Sequence, residues 1–316
     1  MGTAALRPTK PIKTGSLFAC LLKRIIHPKH LWQAIKLKRA KAKLARVYDD
    51  PQLKLYADIL PGGFLHYGYF DDPNVKPQDL SLNDILRAQQ RHSEWIVGLI
   101  TDRGAPVLDV GCGMGGLTGL MLEHGIRPVA LSPDRNQVKH VRGKYPQIPV
   151  IEAKFEDIPA ADNAGRYGTI ITSESLQYLN LDVSLPLIAK LLKPGGRWIA
   201  YDYFRIGEAS EKSGHMWTEF ERRVLQAGWR FVFQQDHTAN VVPTLKYVHM
   251  WGNDIARAVV DFSVAKLKSK QPHVHYLCEE AIAEMNRKLD KNLDVVNPET
   301  FAAHKRYMLL ALEKAT

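Results

Sequence analysis

Cysteine is scarce in this chain. Cys20, Cys112 and Cys278 stand far apart and form no C-x-x-C pair, which argues against a disulfide framework and for a reducing compartment such as the cytoplasm. Long apolar runs are absent too: none approaches the roughly 18 residues of a membrane span. The Ser or Thr that a myristoylation signal needs at its sixth position is replaced by Leu6. Acidic residues are missing from the first 48 positions, which hold twelve Lys or Arg. Beyond them, thirty-one bases are balanced by thirty-three acids, so the net charge of +10 resides in one arm. A nucleic-acid groove in the body would need bases spread around it, and none are. Within the arm, no aromatics interleave with the bases as stacking on bases would need.

What is present starts with that arm. Residues 1–15 carry Pro8, Pro11 and Gly15 and read as a tail, and Ser16 caps a short helix that His27-Pro28 interrupts. A second helix is expected from His30 to Tyr48, with Leu31, Ile35, Leu44 and Val47 apolar and Lys36, Lys38, Arg39, Lys41, Lys43 and Arg46 basic. Such a helix suits an anionic membrane surface through residues 16–48; a solvated pair of helices capping the body is the plainer alternative. Residues 49–104 read as a lid and cap. Their loop Leu65-His-Tyr-Gly-Tyr-Phe70 is unusually aromatic, and ring faces attract a sulfonium or ammonium, although such rings also fill small satellite cores. Ser81 begins a long amphipathic helix expected to end near Gly104.

The rest is organised around Val107-Leu-Asp-Val-Gly-Cys-Gly-Met-Gly-Gly116. An apolar strand meets closely spaced glycines and then a helical run, Leu117 to Glu123. Glycines let the chain turn tightly and let a ligand approach the backbone without meeting a Cβ. The stretch also fits G-x-G-x-x-G at Gly111, Gly113 and Gly116, a dinucleotide fingerprint. That pattern wants an acid about 20 residues on for the ribose, and Ala130 stands near that position. Asp109, two residues before the first glycine, suits a cationic cofactor that bears an amino acid at least as well as a pyrophosphate. Strands and helices alternate from here, the mark of a parallel sheet. Strands are expected at 107–110, 128–131, 150–153, 169–172, 197–203, 229–234 and 305–312, with two or three helices over 244–290. The apolar stripe Leu245, Tyr247, Val248, Met250, Trp251, Ile255, Val259 and Phe262 is expected to be mostly core.

With these residues assembled, the chain from about Leu55 onward resembles the class I S-adenosylmethionine-dependent methyltransferases. Val107–Gly116 is similar to that family's first motif, Phe155-Glu-Asp-Ile-Pro159 to its adenine-flanking loop, Tyr167–Ser175 to its fourth strand and active-site edge, and Leu192–Ile199 to the turn into strand five. The resemblance implies an α/β, Rossmann-like sheet ordered 3-2-1-4-5-7-6 over residues 105–316, with a helical insertion at about 241–300 and an antiparallel seventh strand. Leu65–Phe70 and Ala130-Leu-Ser-Pro133 look most like the tocopherol, sterol and cyclopropane-fatty-acid branch. That branch often has Glu-His where Gln177-Tyr178 stands, so a bicarbonate-assisted mechanism is not expected.

The implied cofactor is S-adenosyl-L-methionine, held by Asp109, Gly111, Gly113, Gly115, Ser132, Phe155, Glu156, Asp157 and Ser173. Ser132 or a backbone carbonyl would replace the missing ribose acid. No residue set is assigned to a metal. Glu174 is the candidate general base or stabiliser of positive charge, with an N-cap or ion-pair role as its plain alternative. Tyr67 and Tyr69 are candidates for the lid over cofactor and substrate, and His237 is a further catalytic candidate; a lone His there, like His66, is more often a hydrogen-bonding residue. The expected activity is methyl transfer to a lipophilic small molecule, at carbon. Competing readings are N- or O-methylation of a more polar metabolite, and a partner protein that keeps the cofactor fold without turnover.

Overall fold

The computed structural model describes residues 26–44, 62–207 and 213–315. These fall into two compact units. One contains helix α1 (Pro28–Leu44) and residues 258–288; the other contains residues 62–257 and 289–315. The expected helix at 16–26 and the aromatic stretch before Gly62 lie outside the described residues, apart from Ile26.

The larger unit is built on seven strands: β1 (Pro106–Val110), β2 (Arg127–Ser132), β3 (Val150–Glu152), β4 (Tyr167–Ser173), β5 (Leu192–Arg205), β6 (Trp229–Asp236) and β7 (Lys305–Lys314). Their order is β3-β2-β1-β4-β5-β7-β6. β7 runs antiparallel to both β5 and β6, while the other pairs are parallel. Because both faces of a parallel sheet are covered, its strands read as continuous apolar runs. Successive side chains then feed opposite layers. Leu108, Ile170, Trp198 and Leu310 enter one core, whereas Val107, Ile171, Ile199, Tyr201, Tyr307 and Leu309 enter the other.

Helix α2 (Leu82–Gly98) starts where Ser81 and Asp84 form a reciprocal capping box. It stops six residues short of Gly104, because Asp102 accepts the N–H groups of Gly104 and Ala105 at 3.0 and 3.1 Å and so builds a local turn. Helices α3 (Gly116–Glu123), α4 (Arg135–Lys144), α5 (Leu181–Leu191) and α6 (Trp217–Gln226) complete the alternation. The stretch between β6 and β7 is more finely divided than expected. It contains α7 (Thr238–Trp251), a π-helical turn (Gly252–Arg257), α8 (Ala258–Lys270), α9 (Pro272–Leu277), α10 (Glu279–Val295) and α11 (Pro298–His304). Its apolar stripe is also not mostly core. Leu245 is buried, but Val248, Trp251, Ile255, Val259 and Phe262 are exposed, Phe262 by 65%. The buried positions of α7 are instead Thr238, Val241, Pro243, Thr244 and Leu245, in its first half.

Candidate active site

The glycine turn between β1 and α3 is built by backbone conformation. Gly111, Gly113 and Gly115 have φ of 79°, 55° and 81°, a region that side chains disfavour. At Gly111 space matters as well, since a Cβ there would sit 2.6 Å from the Cβ of Ser175. The Ser175 hydroxyl donates to the Val110 carbonyl at 2.6 Å and ties the turn to the end of β4. The start of the aromatic loop covers the turn: Gly116 N–H donates to the Gly63 carbonyl at 3.2 Å, and Leu65 faces Gly113.

Beneath the turn, Asp109 is buried and accepts the Thr118 hydroxyl at 2.9 Å. Burial pushes its carboxyl up to about 6, with the Thr118 bond pulling the other way. A buried carboxylate with one neutral donor is suited to an arriving ammonium, which would restore its ionised form. The Cys112 thiol is buried and pushed up, so it occupies the turn as a small residue and not as a nucleophile.

Other positions assigned to the cofactor from sequence are already engaged. Ser132 is buried; its hydroxyl donates to Gln137 Oε1 at 2.6 Å and accepts the Asp134 N–H at 3.0 Å. Those bonds organise the start of α4, where the buried Asp134 caps the helix by accepting Gln137 N–H at 2.9 Å. Phe155 is in the core, Glu156 accepts the Asn180 N–H before α5 at 3.0 Å, and Asp157 is exposed. Ser173, at the end of β4, has a buried hydroxyl without a hydrogen-bond partner.

Glu174 follows at once, and among the described residues it is the one non-glycine with positive φ, 47°. Such strain persists where the surroundings over-determine it, and it clusters at functional sites. Its N–H donates to the Tyr201 carbonyl at 2.9 Å. Its Oε1 accepts two bonds, from Tyr67 N–H at 2.9 Å and from Tyr307 O–H at 2.6 Å. Both bonds fall on Oε1. Burial pushes the Glu174 carboxyl up to about 7 against the pull of those two donors. Asp202 of β5 is a second buried carboxyl, pushed well up by burial and by the charge of Glu174. It accepts the N–H groups of Gln177 and Tyr203 and fixes the turn after Glu174.

The aromatic loop is anchored at every step. Gly68 N–H donates to Thr244 Oγ1, Tyr69 N–H to the Ala88 carbonyl and Phe70 N–H to the Asn240 carbonyl, at 2.8–3.0 Å. The Tyr67 ring meets Phe301 and Tyr307; the Tyr69 ring meets Trp95 and His237. His237 is fully buried, engages the Tyr201 hydroxyl through Nδ1 at 2.6 Å, and is pushed down to about 4 by burial. It is therefore a neutral member of a ring cluster. His92, on α2, lies flat between His66 and Tyr201, with centroids 3.9 and 3.8 Å away. Sequence reading missed His92, Tyr201, Asp202, Phe301 and Tyr307. Each sits inside an amphipathic helix or apolar strand, where a ring or buried polar group carries no local signal.

Comparison with known proteins bears on the domain and the fold. Residues 107–196 match the methyltransferase domain family. The O-methyltransferase cnsE of Penicillium expansum is 25% identical over 222 residues, 64% of this chain and 78% of the relative. Among solved structures, a sarcosine dimethylglycine methyltransferase from Galdieria sulphuraria superposes with a TM-score of 0.62 at 16% identity, over 84% of this chain and 99% of that one. Geranyl diphosphate C-methyltransferase from Streptomyces coelicolor, solved with Mg2+, geranyl-S-thiolodiphosphate and S-adenosyl-L-homocysteine, gives 0.60 at 15% identity over 82% and 91%. Residues 107–196 are thus a methyltransferase domain, set in the fold of the class I S-adenosylmethionine-dependent methyltransferases. Methyltransferases of this domain family use S-adenosylmethionine as methyl donor.

Proposed function

We propose that this enzyme methylates a lipophilic small molecule, at carbon, with Glu174 Oε2 receiving the proton that the acceptor gives up. The cofactor supplies a methyl group already activated on a sulfonium. The protein's tasks are therefore alignment of acceptor and methyl group, exclusion of water, and proton removal. Asp109 would hold the amino group of the donor, and the Gly111–Gly115 backbone would carry its amino-acid end. Proposed flanking roles for Phe155, Glu156, Asp157 and Ser173 rest on their position at the carboxyl edge of the sheet, where open α/β sheets bind ligands. Ser132 would act through the α4 start that it organises.

The observation that carries the reading is Glu174: a strained carboxylate at the end of β4 with one oxygen held by two donors and the other outside those bonds, beside Tyr67 and Tyr307. A carbon acceptor develops positive charge as it is methylated, and a carboxylate among ring faces stabilises such charge. Tyr67 and Tyr69 then act as a fixed roof, and His237 braces Tyr69 and Tyr201. The likeness to a C-methyltransferase fold supports this choice. The O-methyltransferase relative supports the alternative, proton removal from a hydroxyl by the same oxygen. Lipid extracts of a host with and without the gene, compared by mass spectrometry, test the acceptor class: a lipid heavier by one CH2 is expected, and a polar product alone would overturn the lipophilic reading.

Helix α1 supports a membrane-surface role. Leu31, Trp32, Ile35 and Leu37 are exposed beside Lys29 and Lys36. Among the described residues no helix is long and apolar enough to cross a membrane, so the contact would be superficial. Equal flotation on anionic liposomes by the full chain and by a chain starting near Tyr48 would remove it.

A further inference from the structure

Behind Glu174 lies a buried hydrogen-bonded line that the reaction does not directly need. Tyr307 O–H lies 2.6 Å from Glu174 Oε1, and His92 Nε2 lies 3.0 Å from the same Tyr307 oxygen. A phenol has a single proton to donate, and the carboxylate is the stronger acceptor. His92 Nε2 must therefore carry a hydrogen and donate it to Tyr307. That assigns the neutral Nε2–H tautomer and leaves Nδ1 as a bare lone pair, in accord with Nδ1 being buried without a partner. Burial, with His66 and His237 nearby, holds His92 well below the usual histidine range, so it stays neutral. The ring cannot swing away, since it is stacked on both faces by His66 and Tyr201.

We propose that His92 and Tyr307 are positioning residues: His92 turns the Tyr307 hydroxyl toward Glu174, and Tyr307 holds Glu174 Oε1 so that Oε2 is the oxygen offered to the acceptor. The proposal rests on the assignment of Glu174 as the base. The line ends at His92 Nδ1 without a further partner, so it orients and does not conduct protons away. Tyr67 N–H supplies the second restraint on Oε1. The charge of Glu174 in turn pushes up the titratable groups nearest to it on β5, Tyr201, Asp202 and Tyr203. Tyr307 and β5 are thus neighbours across the β5–β7 ladder, where Tyr203 pairs with Tyr307 itself.

The test is carbon-13 NMR titration of protein labelled at the glutamate carboxyls, with Glu174→Gln used to assign the signal. In the wild type Glu174 should titrate near 7. Removing a donor to the ionised form raises the pKa, so Tyr307→Phe should move the midpoint up by roughly one unit. His92→Phe, which keeps the stacked ring but not the N–H, should move it in the same direction by less. Nitrogen-15 shifts of His92 should report the Nε2–H tautomer from roughly pH 6 to roughly pH 8, on either side of the Glu174 midpoint. Binding of S-adenosylhomocysteine by each variant, measured by calorimetry, shows that it is folded. An unchanged Glu174 midpoint in a Tyr307→Phe protein that binds S-adenosylhomocysteine would overturn the proposal, as would an Nδ1–H tautomer for His92. If Glu174→Gln instead keeps full methyl transfer into a host lipid extract, the base assignment fails while the titration still reports on the network.

Discussion

The two halves of the site are built from different materials. The proposed cofactor clasp is mostly backbone: three left-handed glycines within five consecutive residues, with the Asp109 carboxylate beneath them. The proposed reaction edge is mostly side chain, with Tyr67, His92, Glu174, Tyr201 and Tyr307 brought from a loop, a helix and three strands or strand ends. A clasp made of main chain tolerates few substitutions because conformation itself is the function. An edge made of side chains can lose one partner and keep its fold, so chemistry and binding should separate there.

That contrast can be broken in order of expected effect. Glu174→Gln should lower transfer of a labelled methyl group into host lipid extract by about 10²–10⁴-fold, the usual worth of a positioned acid or base, while S-adenosylhomocysteine binds as before; loss of binding instead would place Glu174 in the clasp. Gly111→Val forces a branched side chain into φ 79° and against Ser175. It should remove cofactor binding and lower stability by about 1–3 kcal/mol, read by thermal unfolding. The pH profile of transfer should rise through about 7 as Glu174 ionises, whereas S-adenosylhomocysteine binding should weaken as pH falls through about 6 and Asp109 protonates. A single shared inflection would contradict the division.

Stability should carry the same groups with opposite signs. Glu174 and Asp109 have folded values raised above those of a free carboxyl, so their contribution declines as pH rises from the unfolded value toward 7 and 6. His66 and His237 have folded values lowered to about 4 from 6.5, so their contribution is lost as pH falls through that window. Thermal unfolding between those limits should change little, which is the smallest effect expected; a steep slope of either sign would show that one pair dominates.

Contiguity decided what could be read from the chain. The glycine turn, the strand sequence and the antiparallel β7 are local or family-wide patterns, and they match the observed order. Glu174 is legible as a candidate because it ends a strand at the carboxyl edge of the sheet. His92 was hidden, since it occupies a buried position of α2 that periodicity assigns to packing. Tyr307 looked like one more apolar residue of β7. Ser132 was matched to the ribose by position, but its hydroxyl bonds to Gln137 and Asp134 depend on how α4 starts. The stripe from Val248 to Phe262 has helical spacing, yet spacing alone does not say which face is covered, and this one is exposed.

The clasp is the central claim, and calorimetry with S-adenosylhomocysteine tests it most directly. Saturable binding to the wild type, weakened by about 10–100-fold in Asp109→Ala, is expected for the loss of a charge-assisted bond in a buried site. No binding to the wild type, or equal affinity in the two proteins, would contradict the placement of the methyl donor.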